Sequence, residues 1–329
     1  MRVRLPGGRL TPVQLEVLAD LAESTGRDDL ELTSRGNIQV RGVEDLDGAR
    51  AALTNGGLLP SQTHERVRNI VASPRARHLG DTAAELDAAL IARPALARLP
   101  GRFLFALDDG TGDVAALRAD VESRNGTLYL DGRRTDLPGT VDAMLDAAQA
   151  FLDLRTDEWR IRDLPGGAAA IATTLGGAAG SREPVFAPEK PPVGWFDVDG
   201  AVDLGAGVPL GRLPSRTARF LAAVERPITV TPWRTVLLHG LDEGPAETVV
   251  RVLAPMGLIF DENSPWLRVS ACVGDHGCER AEADALGHAA SLVDSIDDDE
   301  RVHVVACDRG CGAPSGEHRL VIAPTSPNE

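Results

Sequence analysis

Two stretches of this 329-residue chain carry the same short motifs in the same order about 200 residues apart. That duplication limits the fold more than any other feature. Gly57-Leu-Leu59 and the segment Arg68-Asn-Ile-Val-Ala-Ser-Pro74 return as Gly257-Leu-Ile259 and the segment Arg268-Val-Ser-Ala-Cys272. Upstream, Gly8-Arg-Leu-Thr11 returns as Gly211-Arg-Leu-Pro214, and Thr33-Ser-Arg-Gly-Asn-Ile-Gln-Val-Arg-Gly-Val43 as Thr231-Pro-Trp-Arg-Thr-Val-Leu-Leu-His-Gly-Leu241. The offset drifts by a few residues, as loop insertions produce, so the chain reads as a tandem duplication with a pseudo-twofold relation between halves.

Each half opens on a βαββα-like pattern. In the first, Arg2-Leu5 reads as a strand. Thr11 caps a helix with Pro12 at its first position and Gln14 closing a capping box. Leu30-Thr33 and Ile38-Arg41 read as paired strands, and a second helix over Asp45-Asn55 ends at Gly56-Gly57. Further on come a strand near Arg68, a helix Thr82-Ala97, a strand Phe103-Asp108, a hairpin at Asn125-Gly126 and a helix Val141-Leu154. Residues 166–180 are rich in alanine and glycine, and the prolines that follow mark 181–193 as an extended linker. The class is α+β, with segments 1–62, 63–180, 181–193, 194–261 and 262–329.

All four cysteines fall in the last of these segments, Cys272 and Cys278 enclosing five residues and Cys307 and Cys311 enclosing three. A cubane iron–sulfur cluster takes one thiolate per iron, which this set supplies with none spare. Zinc knuckles favour closer pairs than the first, and two disulfides would need an oxidising compartment, which the N-terminus, without a signal-peptide core, does not suggest. Four unrelated buried cysteines is the plainest alternative, opposed by their pairing and by Gly274, Gly277, Gly310 and Gly312 beside them. Each pair follows an apolar run, Trp266-Ala271 and Val302-Ala306, read as a buried strand emptying into a ligand loop. A helix over Glu279-Asp294, opening just past Cys278, would turn its positive end toward the thiolates.

A formal charge of −15 argues against nucleic acid as a main partner, and no apolar run is long enough to span a membrane, so the expected setting is the cytoplasm. Lys190 is the only lysine beside 33 arginines, whose planar forks suit carboxylates. Arg35, Arg41, Arg68, Arg75, Arg77, Arg102 and Arg234 sit at strand ends or in the loops that follow, where a cleft for an acidic ligand would draw on them.

Taken together, the Leu-Thr-Ser-Arg-Gly-Asn-Ile-Gln segment, the Val67-Arg-Asn-Ile70 segment and the cysteine spacing resemble the nitrite/sulfite reductase superfamily. Leu5-Pro-Gly-Gly8, Thr63-His-Glu-Arg-Val-Arg-Asn-Ile-Val-Ala-Ser-Pro74, Leu99-Pro-Gly-Arg-Phe103, Thr231-Pro-Trp-Arg234 and Ala306-Cys-Asp-Arg-Gly-Cys-Gly-Ala-Pro314 are most similar to its precorrin-3B synthase family. The resemblance implies two ferredoxin-like half-domains, each followed by a reductase-type α+β domain. It implies a monooxygenase of aerobic cobalamin synthesis that hydroxylates precorrin-3A, with lactone formation. A [4Fe-4S] cluster on Cys272, Cys278, Cys307 and Cys311, a non-haem iron and an electron donor such as a reductase or ferredoxin belong to that reading. On it, the carboxylate-rich tetrapyrrole is met by Arg35, Arg41, Arg68, Asn69, Arg102 and Arg234.

Two features keep other activities open. The superfamily's Leu-Pro-x-Lys-Phe-Lys segment has Leu104 at its second cationic position here, which disfavours sirohaem and hence a sirohaem-dependent nitrite or sulfite reductase. An Asp-Ala-Cys-Pro-Gly segment that often opens family members is not in this sequence, which leaves a degenerate tetrapyrrole-binding or electron-transfer protein as the third alternative. Of the seven histidines, His64, His78, His239, His276, His288, His303 and His318, none has the spacing of a two-histidine, one-carboxylate iron site.

Overall fold

A computed structural model describes residues 1–184, 190–314 and 316–325. Contacts divide the chain into two units. Unit I gathers Met1–Val3, Leu10–Gly56 and the described residues from 190 onward, and unit II gathers Arg4–Arg9 and residues 57–184. Among the described residues no helix is long and apolar enough to cross a membrane.

Unit I holds both ferredoxin-like halves. In the first, strands Arg2–Val3, Ile38–Gln39 and Asp29–Leu32 form an antiparallel sheet. Helix Pro12–Ser24 begins where its residues dictate: the Thr11 hydroxyl accepts from Gln14 N at 3.2 Å while the Gln14 side chain accepts from Thr11 N at 3.0 Å. Such a cap contributes about 1 kcal/mol. Its Leu15, Leu18 and Leu21 face inward, each contributing roughly 1.5–3 kcal/mol by burial. Helix Leu46–Asn55 follows, capped by Asp45.

The second half repeats this order with strands Gly194–Val198 and Ala201–Gly207, helix Ser215–Ala222, strands Ile228–Val230 and Thr235–Leu241, and helix Glu243–Leu253. The turn before each half's first helix is the same: Gly8 (φ 73°) and Gly211 (φ 71°) both end a 3-10 turn in the left-handed region. Each half also gives the other a strand. Arg212–Pro214 pairs with Asp29–Leu32, and the short strand ending at Leu10 closes the second half's sheet. Helices Pro12–Ser24 and Ser215–Ala222 pack together, with Arg219 of one paired to Asp20 and Glu23 of the other.

The cysteines follow in a smaller layer of unit I. Strands Val269–Ala271, Val302–Val305 and Arg319–Ile322 run parallel, in that spatial order, under helix Ala285–Leu292. Unit II repeats that plan on a larger scale. Strands Ile70–Ala72, Phe105–Asp108 and Val121–Arg124 are parallel, and Thr127–Leu130, Arg133–Pro138 and Ala179–Arg182 extend the sheet antiparallel. Asn125 (φ 45°) and Gly126 (φ 76°) make the expected hairpin turn. Phe103, Phe105 and Phe151 lie at the centre, with ring centroids 5.1–5.2 Å apart.

Three expectations need correction. Residues 181–193 are not wholly linker: Ser181 and Arg182 finish the strand Ala179–Arg182, whose polar edge side chains hide its sheet pairing, and residues 185–189 lie outside the described residues. The helix expected over Thr82-Ala97 is Leu79–Ile91, because Pro94 cannot continue it and opens a 3-10 segment instead. The helix expected to open just past Cys278 opens at Ala285, where Asp284 caps it through Gly287 N at 2.7 Å.

Candidate metal centre

Parallel pairing of Val269–Ala271 with Val302–Val305 sets Ala271 opposite Val304, so both cysteine loops leave the same end of one sheet. Cys272 N donates to Val304 O at 2.8 Å, and Ala306 N donates to Cys272 Sγ at 3.3 Å. All four cysteines are unpaired thiols. Gly274 (φ 58°) turns the first loop where a Cβ would stand 2.8 Å from Ala285 N, and Cys278 N closes that turn on Gly274 O at 3.1 Å.

His303 braces the second loop from below. Its ring is wholly buried, with Nε2 at 3.1 Å from Cys311 O and Nδ1 at 2.8 Å from Ser270 Oγ. A carbonyl only accepts, so Nε2 carries the proton and Nδ1 receives the serine hydroxyl. Burial, with the charges of Arg234 and His318 beside it, pushes the His303 pKa down to about 4, and the ring is neutral.

Three arginines of the ferredoxin-like halves reach these loops. Arg27 donates to His276 O. Arg41 donates to Gly277 O at 3.3 Å and to Glu31 at 2.7 Å, and Arg234 to Gly312 O at 2.9 Å. Arg27 was not singled out in the sequence, since nothing local links it to a carbonyl 249 residues away. Arg234 sits in the left-handed region (φ 58°) at the position that Gly36 (φ 64°) holds in the first half. An L side chain there costs roughly 1–2 kcal/mol, so the contacts of this guanidinium hold it against strain. Burial lowers its pKa, with Glu31 opposing. Arg234, Arg212, Glu31 and Cys272 border a small cavity of about 20 Å³.

Of the remaining residues expected at the site, Arg68, Asn69 and Arg102 belong to unit II and Arg35 to unit I. Arg68 and Asn69 belong to the core of unit II. The Arg68 fork is taken by Asp87, Nε to Oδ1 and Nη2 to Oδ2 both at 2.7 Å, and its Nη1 turns to Leu58 O. Asn69 is fully buried, and its Nδ2 donates to Arg66 O in its own turn and to Gly101 O in a distant loop. Neither presents a donor to an external carboxylate here, because a partner inside the unit already holds it. Arg102, also in unit II, lies over the Trp159 ring at 5.4 Å. Leu104 is buried in unit II. Arg35 is half-buried at its hairpin tip in unit I, and Arg35, Arg75 and Arg77 have interaction partners of their own.

No sequence spacing suggested a grouping that the fold makes in the first cysteine loop. His276 Nε2 lies 3.2 Å from Asp284 and 3.9 Å from Asp275, a solvent-facing polar cluster. A broad concavity of unit I, about 950 Å³, is lined by Val13, Asp20, Glu44 and Asp45 among others and by none of the cysteine-loop residues. With no arginine in its lining it does not suit an acidic ring. The cysteine site, by contrast, fits a thiolate-bound cluster: four sulfurs on two loops from one sheet end, a main-chain donor on Cys272 and guanidinium groups tied to both loops.

Comparison with known proteins agrees with this reading of the fold. Residues 1–55 match the nitrite/sulfite reductase ferredoxin-like half domain. The solved structure of the NirA protein of Mycobacterium tuberculosis superposes with a TM-score of 0.77 at 19% identity, over 95% of this chain and 68% of that one. The chain is therefore a protein of nitrite/sulfite reductase architecture. Within that class it is similar, at 26% identity over 99% of its length and 77% of the relative's, to a precorrin-3B synthase from Sinorhizobium. A ferredoxin–nitrite reductase from Leptolyngbya laminosa is 39% identical over 22% of this chain and 15% of its own length.

Proposed function

We propose that the protein is a precorrin-3B synthase-like monooxygenase acting in the cytoplasm, with a [4Fe-4S] cluster on Cys272, Cys278, Cys307 and Cys311. The observation that carries the proposal is the pair of cysteine loops leaving one sheet end, tied to Arg41 and Arg234 and joined by the Ala306 N–H to Cys272 Sγ bond. The similarity to precorrin-3B synthase over 99% of the chain supports the choice of substrate. When bound, the cluster would pass single electrons from an external donor such as a ferredoxin or its reductase.

The chain's own residues would do the rest. His303 fixes the carbonyl of Cys311, and Arg41 and Arg234 fix those of Gly277 and Gly312, so both ligand loops are held before a cluster arrives. The same guanidinium groups supply positive charge to a carboxylate-rich macrocycle that the overall acidic surface would repel. One atom of dioxygen enters precorrin-3A as a hydroxyl, a substrate acetate closes the lactone, and the other oxygen leaves as water with two electrons from the donor. A non-haem iron also belongs to this reading, and its ligands are not assigned.

Anaerobically reconstituted protein given precorrin-3A, a reductant and isotopically heavy dioxygen is expected to yield a lactone carrying one heavy oxygen. An intact cluster with no oxygen incorporated would reject the monooxygenase. Reduction of nitrite or sulfite by a sirohaem-loaded chain would replace it.

A further inference from the structure

Unit II carries, at the place where unit I carries its second cysteine loop, a loop of carboxylates. The two strand pairs correspond residue by residue. Ile70–Ala72 beside Phe105–Asp108 repeats Val269–Ala271 beside Val302–Val305, which makes Ser73 the counterpart of Cys272 and Asp109 that of Ala306. Hydrogen bonds repeat as well. Ser73 N donates to Leu107 O at 2.9 Å, as Cys272 N does to Val304 O at 2.8 Å. Asp109 N donates to Ser73 Oγ at 3.3 Å, as Ala306 N does to Cys272 Sγ at 3.3 Å. A hydroxyl thus stands where the other half has a thiol, and the segment that follows is Asp108-Asp-Gly-Thr-Gly-Asp113.

Asp108, Asp109 and Asp113 each bring a carboxylate oxygen within 4.8 Å of the others. Asp108 is 2% exposed. Its Oδ1 accepts from Gly110 N at 2.8 Å and Gly112 N at 2.9 Å, while its Oδ2 is shut off from solvent and has no hydrogen-bond partner. A buried carboxylate oxygen without a hydrogen-bond partner is costly unless a cation completes the site. Arg124, beside Asp108 across the strand pair, acts on its charge through space but gives its direct bonds elsewhere, Nε to Glu122 at 2.7 Å and an Nη to Glu183. Ser73 Oγ lies 2.6 Å from Asp113 Oδ1, adding a hydroxyl at the edge of the group. Carboxylate and hydroxyl oxygens, without sulfur or imidazole, select hard divalent ions.

We propose that this loop binds one hard divalent cation through Asp108, Asp109 and Asp113. The duplicated scaffold then holds metal at equivalent strand ends, with oxygen ligands in one copy and sulfur ligands in the other. The carboxylate site stands on its own geometry and does not depend on the cluster being present.

The test is titration of the full-length protein with Mn²⁺, free Mn²⁺ being read by its electron paramagnetic resonance signal, followed by displacement with Ca²⁺. One Mn²⁺ per chain, displaced by Ca²⁺, is expected. Asp108→Asn and Asp113→Asn are each expected to weaken binding by more than about tenfold, and Cys272→Ser to leave it unchanged. Absence of saturable binding at millimolar Mn²⁺ overturns the proposal, as does binding that survives both aspartate variants. Loss in Cys272→Ser alone would put the ion at the cysteine loops and overturn it too. If circular dichroism shows that Asp108→Asn does not fold, Asp109→Asn on the half-buried side of the loop gives the same reading, and retained binding there counts against the site.

Discussion

Arg68 is a motif residue whose meaning depends on a partner 19 residues further along. The sequence offers it as a grip for substrate, because the surrounding segment matches a motif and no spacing rule ties it to Asp87. Folding turns Asp87 toward it from helix Leu79–Ile91, and the pair becomes a buried bidentate bridge. Removing one partner of such a bridge leaves the other charge buried. Arg68→Ala is therefore expected to destabilise unit II by about 3–5 kcal/mol, seen as a lower urea midpoint, with the cluster spectrum kept once the protein is refolded. An unchanged midpoint would return Arg68 to the role of ligand grip. Arg234 is the opposite case, since its left-handed backbone strains the chain in order to place a charge. Arg234→Gly is expected to hold folding stability within about 1 kcal/mol, because glycine relieves the backbone, while raising KM for the tetrapyrrole. A large fall in melting temperature with KM unchanged would make Arg234 structural. The cysteines were legible because ligand demand appears directly as residue type and spacing. Arg27, which serves the same loops, was not, since its contact exists only after the two ends of unit I meet.

Elements whose signals are local were readable and those set by packing were not. The capping box at Thr11 and the helix Val141–Leu154 match expectation because caps and apolar period lie within a few residues of the helix itself. Strand Arg319–Ile322 has mostly exposed side chains and gives no alternation to read, though it completes the cysteine sheet. The helix expected at Glu279 starts six residues later because Asp284 competes for its first turn, so a carboxylate, not the cysteine cluster, meets the positive end. The two cysteine loops also differ in how tightly their glycines are enclosed. Gly274 (φ 58°) faces Ala285 N and Ala283 O within 2.9 Å of a would-be Cβ, whereas Gly310 (φ 61°) has nothing within 4 Å. Both substitutions pay the backbone strain, but only Gly274→Ala adds a clash with main-chain atoms. Gly274→Ala should therefore lower the iron content of reconstituted protein several times more than Gly310→Ala, and equal iron in the two variants would show that the loop geometry does not matter. A further polar set is structural by the same logic of enclosure. Thr229, His239 and Asp203 are hydrogen-bonded in series at 2.8 and 2.7 Å across three strands, and each is less than 5% exposed, which leaves no path for a substrate to the hydroxyl.

At the scale of the molecule, duplication explains why chemistry concentrates where it does. The ferredoxin-like halves exchange edge strands within unit I, so that Arg41 from the first half and Arg234 from the second both reach the cysteine loops that follow the second. In each reductase-type layer the first two parallel strands lead into side chains able to hold metal, sulfur in unit I and carboxylate in unit II. A chain with a net charge of −15 thereby keeps Arg27, Arg41 and Arg234 at the cysteine loops. On the proposed function, Cys272, Cys278, Cys307 and Cys311 share a single cubane. Iron and acid-labile sulfide counted per chain after anaerobic reconstitution, with electron paramagnetic resonance of the reduced protein, test it most directly. The expected result is about four irons and four sulfides with one cluster signal, all lost in Cys272→Ser. One tightly held zinc per chain with no sulfide, or a cluster that survives Cys272→Ser, would contradict it.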